Sequence, residues 1–451
     1  MGGTLAAAAS ASAAPLPAAA VRRYAQGPAP SDRIRVGFIG VGNRGTQLLN
    51  AFLGFPDVEL VAICDVYEPY LHRRLEDVDP VVRAEVGHYI PRMGEKWSER
   101  VARYRDYRRL LERSDIDAVV IATPDHWHAL QTIDACTSGK DVYVEKPLTV
   151  TVTEGRRMIE VAAQTGRVVQ VGLQRRSSEV YVGLPELIRG GAVGKVTVCR
   201  AYRVSNMAPA GIGRKSPQDP PPDLDWNLWL GPRPWRPYQS NIHPYRFRWW
   251  QDYSSQVGNW GVHYFDVIRW VIGEQAPRYI SAVGGRYAID DDRTIPDTME
   301  VTFEFPGGAL LTFGQYEACG GEVAQGEIEI RGTRGNLLVS TVYEKGAGYR
   351  IESSPAGQFG TPEAAREHRL VTEETDSTPT HVRNFLDCVR TRQTPACPLE
   401  EGHRSTTFAL LANIALATGS RLEWDAENEK VIQPADANRW LSYRYRDPWR
   451  D

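Results

Sequence analysis

The six cysteines of this 451-residue chain are scattered, and no two of them form a CxxC pair. That spacing excludes a zinc knuckle and a disulfide framework. The nine histidines form no HExxH motif, so a zincin-type metal site is excluded too. No basic run breaks the near balance of 53 Lys and Arg against 56 Asp and Glu, a net charge of −3. Nothing in that balance points to nucleic acid or to an anionic membrane surface. Long apolar runs are also missing. Only residues 2–21, half alanine, approach one, and they are too weakly apolar for a transmembrane helix.

Residues 1–32 read as an Ala/Pro-rich segment ahead of the first strand. Ala11-Ser12-Ala13 suits a signal-peptidase site, yet no Lys or Arg precedes Arg22, so the charged start of an export signal is missing. The segment is either a leader whose start was lost or a disordered tail. The leader, and with it export, is slightly favoured over a cytoplasmic location. The remaining length exceeds what one core usually supports, and two domains are expected, over residues 33–174 and 175–451.

What is present begins with an apolar run, residues 34–39, that ends in Gly40-Val41-Gly42-Asn43-Arg44-Gly45. An amphipathic segment follows, and a second apolar run stops at Asp65, twenty residues past Gly45. This is the pattern of a nucleotide-binding βαβ unit. Gly40 permits the tight turn, Gly42 lets the backbone approach a pyrophosphate, and Gly45 lets the helix sit close on the strand; Asn43 and Arg44 open that helix at the phosphates. Asp65 can accept from the ribose hydroxyls and would repel a 2′-phosphate. NAD is therefore expected rather than NADP, although Arg73 and Arg74 lie close enough downstream to keep NADP open.

Strand and helix alternate from there on. A polar helical stretch is expected over 69–101, strands over 118–124, 142–145 and 168–172, and helices over 127–138 and 154–164. The rhythm predicts a doubly wound parallel sheet. Beyond residue 174 a helix (179–189) and a strand (196–203) lead into a proline- and Trp-rich stretch, 206–260. Strands near 280–287, 298–305, 309–316, 326–331 and 336–340 follow, with a hairpin at Pro306-Gly307-Gly308, and helices over 381–391 and 401–417. These predict a second α/β domain whose open sheet is mostly antiparallel with one face free.

The second chemical motif is Glu145-Lys146-Pro147, placed where a parallel strand ends. Ligands of open α/β sheets gather outside those strand ends, so Lys146 is expected in the cofactor crevice, able to donate to a substrate hydroxyl or a developing alkoxide. Of the chain's twelve tryptophans, Trp226, Trp229, Trp235, Trp249, Trp250 and Trp260 fall within some thirty-five residues, mixed with His243, Tyr245, Arg246 and Arg248. Ring faces of this kind stack on a pyranose. The bland alternative is a loop folded over its own aromatics, the expected fate of most of the six. His126 and His128, two apart around Trp127, project differently at a strand-to-helix junction, and no metal site is expected there.

These motifs occur in order with Thr123-Pro124-Asp125-His126-Trp127-His128, Gln174-Arg175 and Gly258-Asn259-Trp260-Gly261-Val262-His263. Together they resemble the Gfo/Idh/MocA oxidoreductase family, and the resemblance runs from Arg33 to about Ala417. It implies a Rossmann domain followed by an α/β domain whose open sheet serves oligomer contacts, in a dimer or tetramer. It also implies hydride transfer between NAD(P) and a secondary alcohol of a sugar or polyol. By residue, it implies that Lys146 binds the reacting hydroxyl beside the nicotinamide and that His263 accepts the proton. Glu145 and Pro147 shape the turn beneath the cofactor, and Thr123, Pro124 and His128 stand near it. Arg175, Asn259 and Trp260 are the further substrate candidates.

One departure stands out. The family commonly has Asp four residues before the histidine, and here that position is Asn259. An amide cannot stabilise an imidazolium as a carboxylate does; Asp266 is a second candidate for that support, or a structural acid. The leading expectation is an NAD-dependent oxidoreductase acting on a carbohydrate. The alternatives are a glycosidase that uses tightly held NAD in a transient oxidation, elimination, hydration and reduction cycle, and a non-catalytic nucleotide and sugar binder.

Overall fold

The structure, a computed structural model, describes residues 32–93, 100–321, 327–343, 346–354, 368–372 and 376–449. The leader-like segment lies outside them, apart from Asp32. Six parallel strands form the first sheet: β1 (Ile34–Ile39), β2 (Val58–Cys64), β3 (Ala102–Tyr104), β4 (Ala118–Ile121), β5 (Asp141–Val144) and β6 (Val169–Val171). Their order is β3-β2-β1-β4-β5-β6. Every residue of β4 and β5 is buried, as expected of strands covered on both faces. Connections leave β1 and β4 toward opposite sides of the sheet, and the crevice that results at their carboxyl ends is where such folds bind ligands.

The expected helix over 69–101 is broken into pieces. Helices Glu68–His72 and Pro80–Val86 are separated by Arg73 in the left-handed region and by the proline that starts the second, and residues 102–104 pair as edge strand β3. Proline and a left-handed residue end helices that periodicity alone would run together. The helix expected over 179–189 is likewise two, Glu179–Val182 and Leu184–Arg189, parted at Gly183.

The second sheet holds ten strands among the described residues: β7 (Val196–Val204), β8 (Tyr279–Gly285), β9 (Thr298–Glu304), β10 (Leu310–Tyr316), β11 (Ile328–Gly332), β12 (Gly335–Tyr343), β13 (Gly346–Ser353), β14 (His368–Thr372), β15 (Leu422–Asp425) and β16 (Lys430–Gln433). It is mixed, because β7 runs parallel to β10 while every other pairing is antiparallel. Along β9, Met299, Val301 and Phe303 are buried and their neighbours are not. The buried face packs on helices Val262–Ile272 and Leu399–Thr418 through Phe265, Phe303 and Phe408, with ring centroids 5.0–5.8 Å apart. No helix of the described residues is long and apolar enough to cross a membrane.

The Trp-rich stretch returns across the first sheet. Glu68 N donates to Asp223 O and Asp225 N to Val66 O, and Trp226 stacks on Trp229 at 4.7 Å in a core shared with β1 and β2. The helix Thr378–Thr391 is claimed by the first half as well, its Phe385 against Phe52 and its Arg383 on Asp57. A long strap thus roofs the crevice that the first sheet opens.

Candidate active site

The glycine loop is built as its sequence requires. Gly40 has φ +84, and a Cβ on it would stand 2.8 Å from the Ala122 carbonyl and the Thr123 nitrogen. A Cβ on Gly45 would meet Gly40 O at 2.1 Å, so only glycine lets helix Asn43–Leu53 approach the turn. Gly42 caps that helix with no side chain, which leaves the first N–H groups directed at the crevice.

Asp65 ends β2 beside this loop. Its Oδ2 accepts from Val41 N at 2.9 Å and its Oδ1 from Tyr67 N at 3.1 Å. Burial holds its carboxyl above the usual range, against the pull of those N–H groups and of Arg73. Arg73 turns inward, its guanidinium donating to Val41 O at 2.7 Å and to Thr46 Oγ1 at 3.0 Å. Arg74 pairs with Asp77 at 3.5 Å on the surface. The two arginines that kept NADP open are thus engaged with the protein.

A cleft of about 310 Å³ runs from this loop along the strand ends. Gly40, Gly42, Asn43, Arg44, Asp65, Thr123, Pro124, Glu145, Lys146, Asn259 and Trp260 line it, so the structure brings eleven of the sequence candidates together. Lys146 stands in its wall with Nζ donating to Asn259 Oδ1 at 3.0 Å and to Asn259 O at 2.9 Å. Burial pushes the Lys146 ammonium down to about 8, with Glu145 and Asp125 opposing. Glu145 is ionised, because Arg44 donates to its Oε1 at 2.7 Å and holds its pKa below the usual range against burial. Arg44 is therefore a partner of Glu145 at the cleft floor.

Asn259 lies in a π-helical turn, Val257–Gly261, which enters the helix Val262–Ile272. A wide turn of this kind alters the i, i+4 alignment expected from the sequence. Asn259 turns its amide oxygen to Lys146, and its amide nitrogen to Gln256 Oε1 at 3.1 Å. His263 is buried behind the cleft wall, and its Nδ1 has no protein partner. Burial, with Lys146, Arg175 and Arg44 nearby, drives its pKa well below the ordinary histidine value, so the ring is neutral and free to accept. Asp266 gives it no support: it takes three hydrogen bonds from Arg176 and one from Ser405, and is a structural acid.

Two candidates, His128 and Arg175, are directed elsewhere. His128 is 1 % exposed, with Nδ1 2.8 Å from Pro147 O and Nε2 2.9 Å from Thr123 O. It clamps the two loops and does not line the cleft, because both ring nitrogens are spent on backbone. Arg175 is paired with Glu327 at 2.9 Å and lies 4.9 Å over the Tyr264 ring, beside His263 but off the cleft. Gly45 serves packing. His126 is neutral, lowered to about 3 by burial, with Nε2 on Trp229 O. No group of three or more His, Cys, Asp or Glu among the described residues is placed to hold a metal ion.

Of the six clustered tryptophans, Trp229 and Trp260 reach the cleft. Trp249 donates to Glu317, Trp250 to Asn241 O, Trp226 to Arg236 O, and Trp235 is exposed. Sequence reasoning missed Asp125 and Gln131, which line the cleft just after β4, and Tyr70 and Tyr89 from the segment after β2. The strand-end rule that found Lys146 would have found Asp125. Nothing in the pattern signals the two tyrosines.

Three family models match the chain in order: an oxidoreductase family with an NAD-binding Rossmann fold over residues 34–173, a GFO/IDH/MocA C-terminal domain over 230–338, and an oxidoreductase family C-terminal alpha/beta domain over 362–451. The chain belongs to the Gfo/Idh/MocA oxidoreductase family. The alpha-N-acetylgalactosaminidase of Shewanella oneidensis is 41% identical over 132 residues, 29% of this chain and 26% of that protein. A glycosyl hydrolase family 109 protein of Shewanella sp. strain ANA-3 is 40% identical over 132 residues, with the same shares. The match thus spans about a quarter of the length of these curated relatives. Levoglucosan dehydrogenase in complex with NADH aligns at a TM-score of 0.63 and 17% identity, over 87% of this chain and 99% of that one. The WlbA dehydrogenase of Bordetella pertussis in complex with NADH and UDP-GlcNAcA aligns at 0.62 and 19%, over the same shares. At such identities these two show the fold.

The cleft of this Gfo/Idh/MocA chain fits NAD. The uncapped helix start at Gly42 would meet a pyrophosphate and Asp65 would meet ribose hydroxyls, and Lys146 lies at the strand end where the nicotinamide face is expected.

Proposed function

We propose that this protein oxidises a secondary alcohol of a sugar or sugar derivative, with NAD bound in the cleft between the first sheet and the strap. The observation that carries this reading is the Lys146 ammonium, set at the end of β5 and held by Asn259 inside a cleft that also contains the glycine loop. When bound, NAD supplies the hydride acceptor. Lys146 donates a hydrogen bond to the reacting hydroxyl and steadies negative charge as it develops on that oxygen. The role of proton acceptor that the resemblance gives His263 needs its ring to turn into the cleft, since here it is neutral and buried behind the wall. Of the two tryptophans at the cleft, Trp260 is the one exposed enough to meet a pyranose, since Trp229 is buried and stacked on Trp226.

A second reading is favoured by the roof over the cleft. A dinucleotide beneath the strap is poorly placed for release each turnover, which suits a cycle that ends in hydrolysis. There the transient ketone acidifies the neighbouring C–H, the aglycone leaves and water adds, with no net change of redox state. The names of the Shewanella relatives agree with this cycle. The open face of the second sheet, with Val283 and Leu310 exposed, is the surface by which copies would join.

A screen of polyols, sugars and aryl glycosides, read in parallel for reduced nicotinamide and for free aglycone, tests both. Reduced nicotinamide in proportion to sugar oxidised supports the first reading. Aglycone without it, with solvent deuterium entering the sugar, supports the second; neither signal with any substrate leaves a binder.

A further inference from the structure

Arg248 enters the cleft from the strap and is not part of the Rossmann half at all. Its Nη1 donates to Tyr245 O at 2.9 Å, and its guanidinium lies 4.2 Å over the Tyr245 ring and 4.5 Å over the Phe247 ring. Aromatic faces and one carbonyl hold it, and no carboxylate among the described residues pairs with it. Two other cations of the cleft are ion-paired, Arg44 with Glu145 and Arg105 with Glu68, while Lys146 is held by Asn259. Arg248 is close enough to act electrostatically on Tyr70, Asp125 and Lys146. Tyr70 lies against Gly42, whereas Asp125 and Lys146 belong to the opposite end of the cleft. The guanidinium lines the same cleft as Gly42 at one end and Asp125 and Lys146 at the other, with donors left to give.

The roof beside it is a contact between two halves of the chain. Tyr245 of the strap stacks on Tyr89 of the first half, centroids 3.8 Å apart and planes 6° from parallel, and both rings line the cleft. The strap beneath them is fixed by Trp250 on Asn241 O and by Trp249 on the buried Glu317, which also takes Arg293.

Resting on the NAD reading above, we propose that Arg248 is a cofactor-binding residue that grips the dinucleotide pyrophosphate, and that the Tyr89–Tyr245 stack closes the cleft over it. The helix start at Gly42 meets the two phosphate charges from below with backbone N–H groups. Arg248 meets them from above with a fork suited to phosphate oxygens.

The test uses full-length wild type, Arg248→Gln, Arg248→Lys and Tyr245→Ala, with folding checked by circular dichroism and thermal unfolding. NAD affinity is measured by calorimetry, and release by exchange of bound NAD against labelled NAD. Arg248→Gln is expected to weaken NAD binding about tenfold or more, the loss of a charge-assisted contact. Arg248→Lys, which keeps the charge without the fork, is expected to fall between, and it carries the test if the glutamine variant does not fold. Tyr245→Ala is expected to speed release of NAD. Arg248 variants that bind NAD within twofold of wild type overturn the proposal, as does a change confined to the KM for sugar. Wild type that binds no dinucleotide would sink the NAD reading itself; wild type that binds NAD as tightly as its folded Arg248 variants sinks only the grip.

Discussion

Lys146 donates to the side-chain oxygen of Asn259, at 3.0 Å, where the family pattern commonly has aspartate. The substitution therefore bears on the lysine more than on His263. A carboxylate there would form an ion pair and hold the ammonium charged; the amide orients Nζ while leaving its pKa down at about 8.

Lys146→Met is expected to lower kcat/KM by about a hundredfold to ten-thousandfold, the usual range for a positioned acid–base group. NAD affinity should stay near wild type, since Lys146 meets the reacting oxygen. Steady-state kinetics alongside NAD calorimetry separate the two.

The ammonium form of Lys146 is the one that donates. Activity should then fall as pH rises through about 8, the value at which burial has placed this group. His263 is depressed well below its ordinary value, so no limb is expected in the usual histidine range. A kcat/KM profile with an inflection at ordinary histidine values and none near 8 would reverse the two roles.

Asn259→Asp should move that alkaline limb upward by about one unit or more, because an opposite charge within contact distance stabilises the ammonium. Asn259→Leu removes the amide acceptor and should lower the rate without moving the limb upward. The pair of profiles distinguishes a charge effect from a packing effect.

Asp65→Asn is expected to weaken NAD about tenfold to a hundredfold, through loss of a charged acceptor for ribose hydroxyls and for Val41 N. It should not create a preference for NADP, since Arg73 is committed to Val41 O and Thr46 and Arg74 to Asp77. Titration with both dinucleotides checks this.

Gly40→Ala should cost more than Gly166→Ala. Both glycines are left-handed, at φ +84 and +63, but a Cβ at Gly166 meets nothing within 4 Å while one at Gly40 meets the Ala122 backbone at 2.8 Å. Gly166→Ala carries only the conformational penalty of about 1–2 kcal/mol. Chemical unfolding of both variants measures the difference.

The cofactor half was legible because its demands are local. A tight turn, a close helix and an acid at a strand end each constrain one residue type, and Gly40, Gly45 and Asp65 sit as their spacing implies. The second sheet was legible where alternation is long, as in β9, and unread where strands are short or edge-placed, as in β15 and β16, whose four residues carry too little period. The parallel pairing of β7 with β10 joins residues 112 positions apart, as Leu310 with Val198, and no local pattern encodes it. The partners of His128, Arg44 and Arg175 were not legible, because which partner a polar side chain meets depends on tertiary placement, here the Pro147 carbonyl, Glu145 and Glu327.

For this chemistry the cofactor and Lys146 must act in one site. The direct measurement is near-ultraviolet absorbance of NAD-loaded enzyme mixed rapidly with a sugar or glycoside substrate, in wild type and Lys146→Met. Both proteins should hold NAD, and only wild type should form reduced nicotinamide, lasting or transient. Equal formation in the lysine variant, or a wild-type protein that takes up no dinucleotide, would contradict it.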